Sequence, residues 1–430
     1  MTVSARAVTS RTFNSLGNRN YRFFFAGQAV SVTGSWLQST AQAWLILELT
    51  HSPLMLGLLL TVQFLPSLLL QPFGGVVADR WPKRRLLILT QSSFAVTAAI
   101  LGITDGLHRA RVWEVFLVVA VFGVINVVDG PTRQAFVPEM VGKGRLPNAV
   151  ALNSMVFNGA RVVGPAIGGV LIATVGTAVC FDLNAISYLA VIAGLMLMRP
   201  AELHPNPRLK GGVTAVLTQL REAVAHVRRT PEVKLVIVLM AIVGTFSFNL
   251  TILITAIART GLHAGAGGFG LLSAALGAGA LVGAVGVAYA SRATMRGLLI
   301  GCAVFGLFLA LAGQVAGLVS AMILLALAGG GMIVYSAMSN SVVQTFTTGS
   351  LRGRVMSLYL WVFLGTTPLG SLLFGAIEQA WGSRAATALG GSVAVLAAAG
   401  GTWWWNRTSR SRRAYSAGLP PAEPSAAPTA

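Results

Sequence analysis

Arg161 is the one basic residue set near the middle of a long apolar run, about 13 residues into the stretch 148–172. Placing an arginine there costs at least ~2.5 kcal/mol on insertion scales, so it needs a partner or water. At helical spacing it shares a face with Asn158, Gly164, Pro165 and Gly168. The obvious acidic partners, Asp129 and Asp182, fall near opposite ends of their own runs. Two readings stay open: a structural ion pair or carbonyl contact, and anion recognition or proton coupling. Pro165 removes a backbone donor and bends a helix, while the glycines allow close approach of a neighbour. That segment serves either ordinary packing or a seal against proton leak. Proton carriers are scarce, because Glu48, Glu114, Glu378, Asp129 and Asp182 all map near run ends, where solvation is cheap.

The first apolar run carries Gln28, Ser31, Ser35, Gln38 and Gln42 at steps of three and four, which places all five on one helical face. Such a stripe cannot face lipid; it lines a wet cavity or hydrogen-bonds to a neighbouring helix. Thr245, Phe248, Asn249 and Ile252 form a mixed face later in the chain, and Tyr335, Ser336, Ser339 and Asn340 another. No catalytic constellation accompanies them. The histidines (His51, His108, His204, His226, His263) sit in loops or their margins without metal-ligand spacing, and there is no phosphate-binding Gly-Lys-Ser/Thr loop. Cys180 and Cys302 stand far apart in apolar segments, as small core residues. No enzyme activity, cofactor or metal is expected.

The elements that must position these residues follow from composition. With 55% hydrophobic and 10% charged residues and a mean hydropathy of +0.74, the 430-residue chain has the membrane as its solvent. The net charge of +19 does not point to nucleic acid, because the basic residues fall in short clusters between apolar runs. Crossing a bilayer takes about 20 residues per helix. Twelve spans qualify: 23–48, 53–75, 86–104, 112–129, 148–172, 178–198, 234–257, 267–290, 297–313, 316–338, 354–377 and 385–405. With the N-terminus inside, Arg109, Arg111, Arg259 and Arg384 are the basic residues left outside, which sets both termini in the cytoplasm. Ala41-Gln42-Ala43 mimics a signal-peptidase site, but the run before it is too long and polar for a signal core, so no cleavage is expected. The expected domains are a six-helix half at 1–198, a linker at 199–233 with an amphipathic helix at Val213 to Arg229, a second six-helix half at 234–405, and a cytoplasmic disordered tail at 406–430.

An internal echo supports the two halves. GGVVADRWPKRRLL at Gly74 to Leu87 returns as GVAYASRATMRGLL at Gly286 to Leu299, pairing Ala78 with Ala290, Arg80 with Arg292 and Arg84 with Arg296. Asp79 becomes Ser291. Gln134-Ala-Phe136 and Gln344-Thr-Phe346, read as following the fourth and tenth spans, repeat at nearly the same offset. The parsimonious reading is an all-α membrane protein of two parallel halves.

With these features the chain resembles the major facilitator superfamily over nearly its whole length, to about residue 405. The superfamily's loop signature maps onto Gly75, Ala78, Asp79, Arg80, Lys83 and Arg84, with Pro82 where a glycine is usual. NRNYRFFFAGQAVSVTGSWLQSTAQAWLILELTHSP, DGPTRQAFVPEMV and NAVALNSMVFNGARVVGPAIGG look like the bacterial exporters that include the enterobactin exporter and macrolide-efflux proteins. The resemblance implies export of a bulky organic molecule by proton antiport, from a monomer in the inner (plasma) membrane whose partners are lipid, a small-molecule substrate and protons. It implies that the first, fourth, seventh and tenth spans line the central path, making Gln28, Ser31, Ser35, Gln38, Gln42, Thr245, Asn249, Tyr335 and Ser339 cavity residues. Gly164, Pro165 and Gly168 match its antiporter signature. It also implies a cytoplasmic gate, in which Asp79 meets the start of the eleventh span near Arg352 to Val355, helped by Lys83 and Asp129. Uptake or uniport, and a non-transporting sensor or scaffold on the same fold, are the alternatives.

Overall fold

The computed structural model describes residues 14–204, 213–289, 294–347 and 349–416. Ala290, Ser291 and Arg292 of the second charged stretch, linker residues 205–212 and the tail beyond Ser416 lie outside the described residues.

Among the described residues every long element is a helix, and no strand occurs. α1 (Arg19–Thr50) starts on Asn18, whose side chain accepts from Tyr21 N at 3.0 Å. α2 (Pro53–Arg80) follows the Ser52 cap with proline at its first position, where a missing N–H costs nothing. α3 (Lys83–Gly106) comes after only Trp81 and Pro82, so the charged stretch from Gly74 is mostly helix. α4 (Val112–Gly142) and α5 (Gly144–Val175) meet at Gly142, and α6 is Thr177–Met196. The linker contributes α7 (Val213–Arg229). α8 (Pro231–Gly261) breaks at 247–249, and α9 (Gly265–Tyr289), α10 (Met295–Ala312) and α11 (Leu318–Thr345) succeed it. α12 (349–381) and α13 (383–416) are divided by Gly382. Gly142 (φ 70°), Gly176 (φ 92°) and Gly382 (φ 79°) each turn one helix into the next within a single residue, in backbone regions that only glycine enters cheaply.

Among the described residues ten helices are long and apolar enough to cross a membrane, against the twelve spans expected. Two of the expected spans are not counted separately. The polar stripe excludes α1 by composition, and α12 with α13 forms one apolar stretch, Leu351–Thr408. A second departure is the length of α4. Its helix continues through Pro131 and Pro138 to Gly142, so Gln134 and Phe136 are helical, and Gln344 likewise lies within α11.

Close approaches show how the rods pack, and each has a counterpart roughly 200 to 210 residues later. Gly164 of α5 lies on Trp36 of α1, and Gly370 of α12 on Thr245 and Asn249 of α8. Gly74 of α2 meets Val127 of α4 as Gly279 of α9 meets Ala326 of α11. α3 reaches α6 at Gly102 and Asp182, and α10 reaches α13 at Gly306 and Gly391. Even an unusual turn repeats: His51 (φ 55°) after α1 and His263 (φ 52°) after α8 both take the left-handed conformation.

Between the sets α1–α6 and α8–α13 the contacts gather toward one end. Gly57 of α2 crosses Gly375 of α12, and the matching crossing joins Gly270 of α9 to Gly169 of α5. Around the first, Ser52 Oγ donates to Gln379 Oε1 at 2.6 Å and Thr61 Oγ1 to Pro368 O at 2.9 Å, and farther along the same two helices Trp361 Nε1 donates to Leu68 O at 3.0 Å. Arg259 adds a bond to Leu47 O at 3.1 Å. Farther along, Ala151, Ser154 and Asn158 of α5 and Ala280, Leu281 and Ala284 of α9 part to line a cavity. α7 rests on the second set, with Ala223 and Val227 buried and Glu222 paired with Arg354 at the start of α12.

Candidate functional site

The cavity between the two sets measures about 580 Å³ and is mostly apolar. Its walls come from α1 (Trp36, Ser39, Thr40), α2 (Leu60, Phe64), α5, α8, α9, α11 (Met332, Ile333) and α12 (Phe363, Thr367, Ser371). Phe248 projects from the break in α8, stacked on Phe305 at 5.4 Å and backed by Tyr335 at 6.1 Å and Phe363 at 5.6 Å. The break is itself tied down, because Ser247 Oγ donates to Gly390 O at 2.6 Å. Non-helical backbone at membrane depth is tolerated where it lines such a cavity.

Arg161 faces this space. Its guanidinium lies 5.8 Å from the Trp36 ring and its Nη2 is 3.7 Å from Met332 Sδ of α11. Neither expected acidic partner reaches it. Asp129 is fully buried and accepts from Thr90 Oγ1 at 2.7 Å, Gln91 Nε2 at 2.8 Å and the Arg133 guanidinium. Asp182 packs beside Gly102 of α3. Gly164 and Gly168 bring α5 close to α1 at Trp36 and Thr40, and Pro165 borders the cavity.

The polar stripe of α1 needs correction. Gln28, Ser31, Ser35, Gln38 and Gln42 do not line the cavity. Gln38 Oε1 accepts from Asn184 Nδ2 of α6 at 2.6 Å, and the Ser35 hydroxyl lies 3.2 Å from Tyr188 of α6. Gly27 and Gly34, on the same side, let α6 approach. Spacing identifies a face but not the neighbour it meets. The face that lines the cavity carries Trp36, Ser39 and Thr40, which polar periodicity does not mark.

In the second set Asn249 lines the cavity, donating to Thr245 O at 2.7 Å and accepting from Ser371 Oγ at 3.3 Å. Thr245 instead bonds back to Ala241 O at 2.8 Å, and Tyr335 and Ser339 are buried behind the lining. Tyr335 backs Phe248, and the Thr245 carbonyl holds the Asn249 amide.

The expected gate is likewise not assembled. Gly75 and Asp79 lie on α2 and Arg80 is exposed; among the described residues Asp79 has no ion pair. Arg354, where the latch was expected, pairs with Glu222 of α7, and Asp129 is occupied by its own cage. Lys83 binds Glu139 at 2.7 Å, and Arg84 donates to Leu195 O at 2.7 Å and Met196 O at 3.2 Å, joining α3 to the ends of α4 and α6. This end of the bundle is the open one, so a contact needing it shut has no partner. Asp79→Asn is therefore expected to leave thermal unfolding within about 0.5 kcal/mol of the parent. A clear destabilisation in detergent would assign Asp79 a contact in this conformation.

The profile of the transmembrane secretion effector family matches residues 10–411. The chain belongs to that family of major facilitator transporters. Family members are multi-pass membrane transporters, not enzymes. Among curated relatives of this chain, the enterobactin exporter EntS of Citrobacter koseri is 26% identical over 361 residues, covering 83% of this chain and 85% of the exporter. The staphyloferrin A transporter of Staphylococcus aureus is 30% identical over 172 residues, 40% of this chain. The chain spans only 43% of that transporter and 48% of Bacillus subtilis YfiS. Solved structures agree in fold: the nucleoside transporter NupG superposes with TM-score 0.69 at 11% identity, over 90% of this chain and 98% of NupG. A bacterial homologue of the iron transporter ferroportin gives 0.68 at 15%, over 90% and 98%.

Proposed function

We propose that this transporter exports a hydrophobic or amphipathic small molecule, of the drug, macrolide or siderophore class, across the inner membrane by alternating access coupled to protons. Two six-helix halves with twelve crossings rock around the cavity, both termini cytoplasmic. The observation that carries the reading is the cavity itself, closed at one end by the paired glycine crossings and parted at the other. The names of the enterobactin exporter and staphyloferrin A transporter support an organic cargo. Glu378, buried one turn from Gly375 at the closed end, is the carboxyl placed to change exposure when that end opens. Asp79 forms its latch with the start of α12 when the cytoplasmic end shuts, and Gly164, Pro165 and Gly168 seal α5 against α1.

Inverted vesicles under a proton gradient test the function. Accumulation of cargo that collapses with a protonophore is expected; accumulation only in right-side-out vesicles would mean uptake, and binding without flux a sensor. Topology has its own test. Leu107 (61% exposed) and Trp81 (60%) are equally accessible at opposite ends, and both native cysteines are buried. In intact cells an impermeant thiol reagent should label Leu107→Cys and spare Trp81→Cys; the reverse result would invert the orientation.

A further inference from the structure

We propose that the cavity is built for an anion: its cargo carries a carboxylate, phenolate or sulfonate on an aromatic or apolar body, and Arg161 is the residue that selects it. This rests on the cavity being the transport site. Arg161 is the one charged side chain among the lining residues, where no Asp, Glu, Lys or His appears. Its described contacts, the Trp36 ring and Met332 Sδ, satisfy little of a guanidinium that offers five N–H donors in a fixed fork. An arginine retained only for structure would be expected to hold a carboxylate or carbonyl. Here neither acidic candidate reaches it: Asp129 is held by Arg133, and Asp182 packs beside Gly102 of α3.

The surroundings define the rest of the ligand. Trp36, Phe64, Phe157, Phe248 and Phe363 border the same space and offer ring faces, while Asn158 and Asn249 offer amides. An ion pair in so apolar a site is screened far less than at a surface, so charge decides between ligands of equal shape. A cationic amphiphile would meet Arg161 with no carboxylate to offset it. Position adds a second consequence: Arg161 belongs to α5 but touches Met332 of α11, so an anion seated there bridges the two sets of helices.

The test uses three probes of one shape and different charge: pyrenebutyrate, pyrenebutanol and pyrenebutylamine. Binding to the purified full-length chain is read by energy transfer from tryptophan, Trp36 being in the cavity wall. The acid should bind about tenfold more tightly than the alcohol, and the amine most weakly. Arg161→Gln should bring the acid to the alcohol's affinity and leave the alcohol unchanged. Arg161→Lys, which keeps the charge, should retain a preference and serves if the glutamine variant folds poorly. Equal affinities in the parent, absence of acid binding, or a preference that survives Arg161→Gln would overturn the proposal. Vesicle flux separates the two readings: an Arg161-dependent acid preference without flux removes transport and supports the anion site, whereas flux without charge preference removes only the anion site.

Discussion

Replacing Gly169 with valine is expected to cut transport about tenfold or more while the protein still folds. A β-carbon at Gly169 would lie 2.5 Å from Gly270 Cα and 2.9 Å from Ala266 O, closer than real side chains pack, so α5 and α9 must separate. Overpacking of this kind costs ~1–3 kcal/mol. The contacts inside each half are independent of the crossing, so the strain is relieved by parting the halves, shifting the balance of conformations roughly 5- to 150-fold. Gly375→Val should act alike, because its β-carbon would meet Pro53 O at 2.8 Å and Gly57 Cα at 3.0 Å in the matching crossing. Gly331→Val provides the contrast. Its β-carbon would lie 2.5 Å from Phe305 N inside one half, where nothing can move aside, so yield should fall instead. Thiol labelling of Leu54→Cys at the closed end should rise in the first two variants. Unchanged labelling with normal flux, or the same loss of yield in all three, would refute the distinction.

Asp129→Ala is expected to destabilise the fold by about 3 to 5 kcal/mol, the range for removing one partner of a buried ion pair. The carboxylate is fully buried and is the acceptor for Thr90, Gln91 and Arg133, so three donors lose it together. The lower end of the range applies because the Arg133 side chain keeps 24% exposure and part of its hydration. Combining Asp129→Asn with Arg133→Gln should recover part of the loss, since no charge is then left unpaired. Thermal unfolding in detergent reads both; a shift under about 0.5 kcal/mol for the alanine variant would show the cage to be idle.

These expectations also show which features a sequence displays. Apolar runs located the rods, because a helix facing lipid must be apolar for its whole crossing. They misjudged α4, because hydropathy reports contact with lipid rather than helicity: the polar stretch 130–142 continues as helix past the point where the apolar run ends. The stripe on α1 was visible, but whether a polar face meets water or Asn184 of α6 depends on a partner about 146 positions away. The break at Ser247 to Asn249 had no hydropathic signature. Arg161 was legible because one charge in a long apolar run has few explanations. The duplication is legible in charged residues, whereas the left-handed turns at His51 and His263 carry no sequence mark, since His108 takes the same conformation without a matching partner among the described residues.

The two glycine crossings lie on opposite sides of the same end of the bundle, and two pins define an axle. With contacts Gly57 to Gly375 and Gly169 to Gly270 as those pins, rotation about the line joining them parts the far ends, and on the α2 side it must also break the Trp361 to Leu68 bond. From Gly169 back to Gly144 the α5 rod runs about 38 Å at ~1.5 Å per residue. A turn of roughly 10° at the axle therefore swings the far tip by about 6–7 Å, so tenths of an ångström at the pins become ångströms at the mouth. The leverage places control of that swing at four glycines that lie outside the cavity lining.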